Sequence, residues 1–396
     1  MGALINDILQ AVEVLPGHRQ KNTRSKSLHL DDLLDASSTQ FSGGARDFLF
    51  MAYRYSEAQE NFARVFFKKE PKSLILKDYC LIAYSSLLSR DQIPSEVIAH
   101  EIVEASKKEL AEPLVRVLNA YCRSLVREKN QQLKKLAENP ALLLNPALRK
   151  RWAKNPSIID HLGKTLLQRP SPGIWAFDSS LNYQKLESQV FLKSESPLQA
   201  MNSGSANLMQ HYFENFPMQN KSQIKILDFC AAPGAKLLWS IFQAQKSVGS
   251  VSAVAVEQKH SRMQRLKENI KRFGIQESIE TLLLSVGEET LPASIVDQEW
   301  DLLLIDLPCS GSGTLASRPD LLGEDLGSRI EGLKSIQNKI LAELPKLKFK
   351  SALISVCSID PEECQSISTQ LKKEADYQPW QRSNDPMDDG LTAWFL

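Results

Sequence analysis

Two stretches of the chain end an apolar run in a thiol. In "LLIDLPCSGSGT", Leu303 to Thr314, the acid Asp306 and the thiol Cys309 flank a Leu-Pro pair, and two glycines spaced by serines follow. In "ALISVCS", Ala352 to Ser358, the thiol is Cys357. An acid and a thiol projecting from a strand end can act on a planar heterocycle. A carboxyl group beside a pyrimidine binds its N3 and exocyclic amine and draws electron density from the ring, which opens carbon 6 to a thiolate. The glycines leave room for such a ring to approach the backbone. A core cysteine is the competing reading of both positions, but a structural thiol has little use for an adjacent acid and a glycine-lined space. Beyond Cys357, "DPEE" starts a helix whose positive end favours a thiolate, while Asp360, Glu362 and Glu363 act the other way.

Two further strand ends carry the residue types of a nucleoside site. In "ILDFCAAPGAK", Ile226 to Lys236, a strand stops at Asp228 and Cys230, Ala231, Ala232 and Pro233 turn the chain. Gly234 then lets a ligand near the backbone, and Ala235 and Lys236 begin a helix. The Gly-Lys-Ser/Thr ending of a phosphate loop is missing, so a nucleoside such as S-adenosylmethionine fits better than ATP. In "VAVEQKH", Glu257 ends the next strand, where an acid can accept both ribose hydroxyls; the alternative is a charge favoured by the following helix N-terminus.

The elements that must position these residues follow from the hydrophobic pattern. After Ser222, "QIKILDF", "VSAVAVE", "IETLLLS", "DLLLIDL" and "SALISVC" are short continuous apolar runs, as expected of strands buried on both faces. Helical stretches alternate with them, which predicts a mostly parallel, doubly wound α/β sheet with ligands at the carboxyl ends of its strands. The first part of the chain differs. From Arg46, apolar residues recur every three or four positions in stretches separated by Pro71, Pro94 and Pro113, which predicts an all-α domain. The expected division is a poorly ordered or helical segment over 1–45, a helical domain over 46–130, a basic linker and small RNA-facing subdomain over 131–199, and the catalytic domain over 200–396. Lys134, Lys135, Arg149, Lys150, Arg151 and Lys154, with Trp152 among them, either contact phosphates or form a solvated face.

At 396 residues the chain is long enough for several cores, and its net charge of +1 neither supports nor excludes a nucleic-acid partner. No apolar run is long enough to cross a bilayer, which points to a cytoplasmic protein with no membrane partner. The six cysteines include no Cys-x-x-Cys pair and the histidines are scattered, so no metal site is expected.

Taken in order on one sheet, Asp-x-Cys-Ala-Ala-Pro-Gly, Asp-x-Pro-Cys-Ser-Gly-x-Gly and Ser-x-Cys-Ser-x-x-Pro-Glu-Glu resemble the signatures of the RNA (cytosine-C5)-methyltransferases, the NSUN and RsmB group. The resemblance covers roughly Ser196 to Leu396 and includes "RPD", Arg318 to Asp320, and the closing "DGLTAWF". It implies a Rossmann-like S-adenosylmethionine-dependent methyltransferase domain. The helical part resembles the NusB-like RNA-binding domain of the RsmB type, which implies a small-subunit (16S) ribosomal RNA substrate; a monomer is expected. By the same resemblance Cys357 is the nucleophile, Asp306 holds N3 and the amino group, and Cys309 helps remove the carbon 5 proton and release the product. Residues 230–236, Glu257, Ser285 and Asp306 then line the cofactor pocket. The alternatives are methylation of another RNA such as tRNA, or a non-catalytic RNA-binding ribosome-assembly protein that keeps the fold.

The chain departs from the family pattern at several points. Ala235 replaces a glycine, and Ser285 stands where the family carries an acid for the adenine amino group, which implies weaker cofactor binding. "WAFDSS" and "MNSGSANL" replace RNA-facing motifs, and Cys364 and Gln365 replace an Asn-Glu pair.

Overall fold

The structure, a computed structural model, describes residues 2–22, 42–167, 174–186, 194, 196–216, 222–247, 250–374, 378–381 and 390–396. Asp389 and the stretch 23–41 of the expected N-terminal segment lie outside the described residues. The chain divides into two units, Met1–Pro170 with Leu315–Asp325, and Ser171–Thr314 with Leu326–Leu396.

The first unit is helical. Ser42 and Ser73 start the helices Gly43–Phe66 and Leu74–Ser89, their hydroxyls accepting the amides of Ala45 and Leu76. Such caps satisfy amides that the first turn leaves without helical partners. Ser95–Ser106 follows, and Pro113 opens the long helix Glu112–Glu138. In that helix Val115, Leu118, Cys122 and Leu125 recur on one face and are buried. The Tyr121 ring meets Phe62 edge-on at 5.4 Å between centroids, a favourable aromatic geometry. Helix Gly2–Asn22 buries Ile8, Ala11, Val12 and Leu15 and packs on helices 43–66 and 95–106. The expected boundaries at 45 and 130 therefore move, because those apolar stripes need the helical core to cover them. Residues 315–325 join the same unit. Buried Arg54 donates to the carbonyls of Leu166 and Ala316, and Asn145 donates to that of Leu322.

The second unit begins with a small antiparallel sheet of β1 (Ile174–Phe177), β2 (Tyr183–Leu186) and β3 (Gln199–Ala200). The described residues between 174 and 199, expected in the linker, thus fall in the second unit. The main sheet contains β4 (Gln223–Phe229), β5 (Ser250–Glu257) and β6 (Ile279–Leu283). A short parallel pair, β7 (Glu299–Trp300) with β9 (Lys348–Phe349), stands apart from it. The main sheet continues through β8 (Leu302–Asp306), β10 (Ala352–Val356), β11 (Gln378–Gln381) and β12 (Thr392–Phe395). Its order is β11-β12-β10-β8-β4-β5-β6. The neighbours from β6 to β10 are parallel, and β12 is antiparallel to both β10 and β11. This is the doubly wound, Rossmann-like topology expected from the sequence. Alternate residues explain the continuous apolar runs: Ile226, Ala255, Leu304 and Leu353 pack on one face, and Leu227, Val256, Ile305 and Ile354 on the other. Strand order reverses between β4 and β8, so a crevice forms at their carboxyl ends. Among the described residues no helix is long and apolar enough to cross a membrane.

Candidate active site

Three loops leave the carboxyl ends of adjacent strands β4, β8 and β10. The first needs unusual backbone: Cys230 has φ +63° and Gly234 φ +102°. Helix His260–Arg272 fixes this loop through two carbonyls. Arg262 donates to Ala232 at 2.5 Å and the Asn269 amide donates to Pro233 at 2.7 Å. Lys236, in the first turn of helix Ala235–Ser247, reaches Asp306 Oδ2 at 2.7 Å. Parallel pairing sets Ser355 opposite Asp306, and the Ser355 hydroxyl donates to Asp306 Oδ1 at 2.8 Å. The carboxylate is therefore pinned from both sides.

A cavity of about 180 Å³ opens over this pair. Its lining includes Ala231, Ala232, Pro233, Gly234, Ala235, Lys236, Asp306, Ser355 and Cys357, together with Asn202 and Ser205 at the start of helix Ser203–Asn215. Cys230, Glu257, Ser285 and Cys309 do not line it. Glu257 lies just behind: it is 3 % exposed, accepts the amides of Ala232 at 3.4 Å and Lys259 at 3.1 Å, and faces Arg262 Nε at 3.5 Å. Ser285 accepts from Gln258 Nε2 at 2.9 Å and donates to Glu288 Oε2 at 3.1 Å, while its amide donates to Glu289 Oε1 at 2.7 Å. Acids three and four residues on thus fold back to the position that lacks one.

Electrostatics separates these groups. Burial alone would depress the Lys236 ammonium, but Asp306, Cys357 and Asp228 outweigh it and hold the group above its ordinary value. Burial, then the charges of Asp306 and Glu257, raise the Asp228 carboxyl well above the carboxylate range against the pull of Lys236. Cys230 is pushed up to about 12, first by burial and then by Glu257, which makes it an inert thiol. Burial, followed by Cys357, Glu363 and Asp306, raises Cys309 well above an ordinary thiol.

The two cysteine loops are laced together. The Ser312 and Ser358 hydroxyls lie 2.9 Å apart, the Ile359 amide donates to Ser312 Oγ at 3.1 Å, and the Gly313 amide donates to the Cys357 carbonyl at 3.1 Å. Gly311 takes φ +73° to turn this loop. The close neighbour of Gly313 is the backbone of Gly390. The Gly390 amide donates to the Gly313 carbonyl at 2.7 Å, and a Cβ on Gly313 would stand 1.9 Å from the Gly390 oxygen. Gly313→Ala is expected to cost about 2–3 kcal/mol through overpacking against backbone, read as a lowered midpoint in urea denaturation. An unchanged midpoint would count against the packing.

Sequence reasoning missed Ser355, Asp228 and the Ser312–Ser358 contact as parts of the site. Ser355 is visible only once strand register is known. In the sequence Asp228 reads only as a strand end, and its closeness to Lys236 and Asp306 requires the fold. Among the described residues no cluster of three or more His, Cys, Asp or Glu is arranged to hold a metal.

Comparison with known proteins now bears on this geometry. Residues 216–390 match the model of the 16S rRNA methyltransferase RsmB/F family. Over 156 residues the chain is 36% identical to ribosomal RNA small subunit methyltransferase B of Photorhabdus laumondii, covering 38% of this chain and 34% of the relative. It is 34% identical to the protein of the same name from Yersinia enterocolitica, over the same shares of both chains. The match spans about a third of the length of these curated relatives. The solved structure of PH0851 is similar over 99% of this chain and 98% of its own, with a TM-score of 0.65 at 15% identity, which is a likeness of fold.

Proposed function

We propose, from the match of residues 216–390 to the RsmB/F family model, that the protein methylates carbon 5 of a cytosine in small-subunit ribosomal RNA. The observation that carries this reading is that Asp306, Lys236 and Cys357 line one cavity with the loop Ala231–Ala235. The names of the curated relatives support ribosomal RNA as the substrate class.

The residues present fit an adenosyl cofactor. Glu257 ends β5 as a buried carboxylate with acceptor capacity left for a diol. Gly234, at φ +102°, keeps its turn free of a side chain; a Cβ there would meet Leu266 Cδ1 at 2.6 Å. When bound, S-adenosylmethionine supplies an electrophilic methyl group to carbon 5. Glu257→Gln is expected to weaken binding of S-adenosylhomocysteine about tenfold, roughly 1.4 kcal/mol, in calorimetric titration. Unchanged affinity would rule out a part for Glu257 in cofactor binding.

The chain's own groups supply the rest. The target cytosine must leave its helix or be unpaired to enter the cavity. Cys357 adds as a thiolate to carbon 6; the sulfur–carbon bond forms and the electron pair of the 5,6 double bond shifts into the ring. Asp306, held by Lys236 and Ser355, accepts the exocyclic amine, and the Lys236 charge offsets the negative charge growing on the ring. After methylation, Cys309 as its thiolate takes the carbon 5 proton. The freed electron pair restores the double bond, the carbon–sulfur bond breaks, and Cys357 departs as a thiolate. Incubation with labelled S-adenosylmethionine and unmodified small-subunit rRNA, with tRNA in parallel, should label one cytosine of the rRNA. Absence of label from every RNA would overturn the proposal, and label in tRNA alone would change its substrate.

A further inference from the structure

Glu363 is a buried acid that the reaction above does not use. It sits in the first turn of helix Pro361–Glu374 and is 0 % exposed. Both its oxygens are committed to the loop that carries Cys309. Oε1 accepts the Ser310 amide at 3.0 Å and Gln337 Nε2 at 2.9 Å, and Oε2 accepts the Ser310 hydroxyl at 2.6 Å. Gln337, itself buried on helix Leu326–Leu341, also donates to the Pro308 carbonyl at 2.9 Å. The residues on either side of Cys309 are thus gripped by one carboxylate and one amide from two helices.

The same acid connects to the other cysteine. Asp360 Oδ1 accepts the amides of Glu362 and Glu363 at 3.1 Å, and the Asp360 amide donates to Ser358 Oγ at 3.1 Å, one residue after Cys357. A hydrogen-bonded path therefore runs from the Cys357 loop through the start of the helix to the Cys309 loop. A carboxylate is expensive to bury, and an apolar side chain would fill the space as well. What an apolar side chain lacks is the ability to accept an amide and a hydroxyl from one loop residue at once.

We propose that Glu363 is a positioning residue for the product-release step, fixing the backbone on both sides of Cys309 so that its sulfur meets the carbon 5 proton; this rests on the role given to Cys309 above. The near-isosteric Glu363→Gln replaces one acceptor by a donor facing Ser310, which should loosen the loop while leaving Cys357 and the cofactor side intact.

The test uses the full chain with labelled S-adenosylmethionine, unmodified rRNA, and Cys309→Ser alongside. Multiple turnover by Glu363→Gln should fall tenfold or more while a covalent protein–RNA species, stable on a denaturing gel, accumulates as it does for Cys309→Ser. A merely structural role would lower turnover and adduct together. Normal turnover, or lost turnover without trapped adduct in Glu363→Gln alone, overturns the inference. Absence of adduct from Cys309→Ser as well overturns the assignment of Cys309 and this inference with it. Should Glu363→Gln fail to fold, Ser310→Ala, which keeps the carboxylate but removes one of its partners, carries the same readout.

Discussion

Cys357→Ser is expected to lower cytosine methylation by about 10⁴-fold or more and to leave no covalent protein–RNA species, whereas Cys309→Ser loses turnover while that species accumulates. Serine keeps the size of cysteine but ionises far less readily, so at position 357 no group remains to attack carbon 6. At position 309 the attack and the methylation still proceed, and the carbon 5 proton is left without its acceptor. Denaturing electrophoresis of labelled RNA distinguishes the two variants. Identical behaviour in both would end the division of labour between the thiols. The same assignment has a pH consequence whose sign follows from the raised Cys309. Burial first, then Cys357, Glu363 and Asp306, keep the thiol protonated in the resting protein, so its basic form is a minority that grows with pH. Decay of the adduct in a single turnover should quicken by about tenfold per pH unit between roughly pH 7 and 9, and Cys309→Ser should lose that dependence.

Much of this arrangement was legible before any coordinates. Runs such as "DLLLIDL" and "SALISVC" have no polar alternation, and only strands covered on both faces tolerate that, so the sheet and the position of each motif at a carboxyl end followed from pattern alone. The cavity gathers Ala231–Lys236, Asp306 and Cys357. What pattern could not supply was pairing between distant residues. Ser355 reads as one more small residue until register sets it opposite Asp306. Glu363 reads as a first-turn acid favoured by the helix dipole, and only packing turns it toward Ser310. The excursion of 315–325 into the helical unit was equally hidden, because its anchor, Arg54, lies more than 250 residues away along the chain. Ser285 shows the converse: the family resemblance marks a missing acid there, and the turn after β6 returns Glu288 and Glu289 to it.

Asp306→Asn should reduce methylation by about 10³-fold with cofactor affinity changed less than tenfold, and comparison with Lys236→Met reveals why. The amide keeps the shape of the carboxylate and its contact with Ser355, so the cavity survives. Its charge does not. The exocyclic amine of the base loses an anionic acceptor, and the Lys236 ammonium, 12 % exposed, loses the partner at 2.7 Å that sustains its charge. Asp306 is 38 % exposed, so water compensates part of that loss and the cost in stability should stay near 1–2 kcal/mol. Lys236→Met removes the cation instead, so the Asp306 carboxylate is left without its ion-pair partner and Asp228, already pushed toward its neutral form, loses the charge that pulls it down. That variant should be the less stable of the two, by about 1 kcal/mol or more in urea denaturation, although both are catalytically impaired. The ordering is the decisive result. If Asp306→Asn proved both the more active and the less stable variant, the carboxylate would be holding the fold, and the role of gripping the base would have to pass to another group in the cavity.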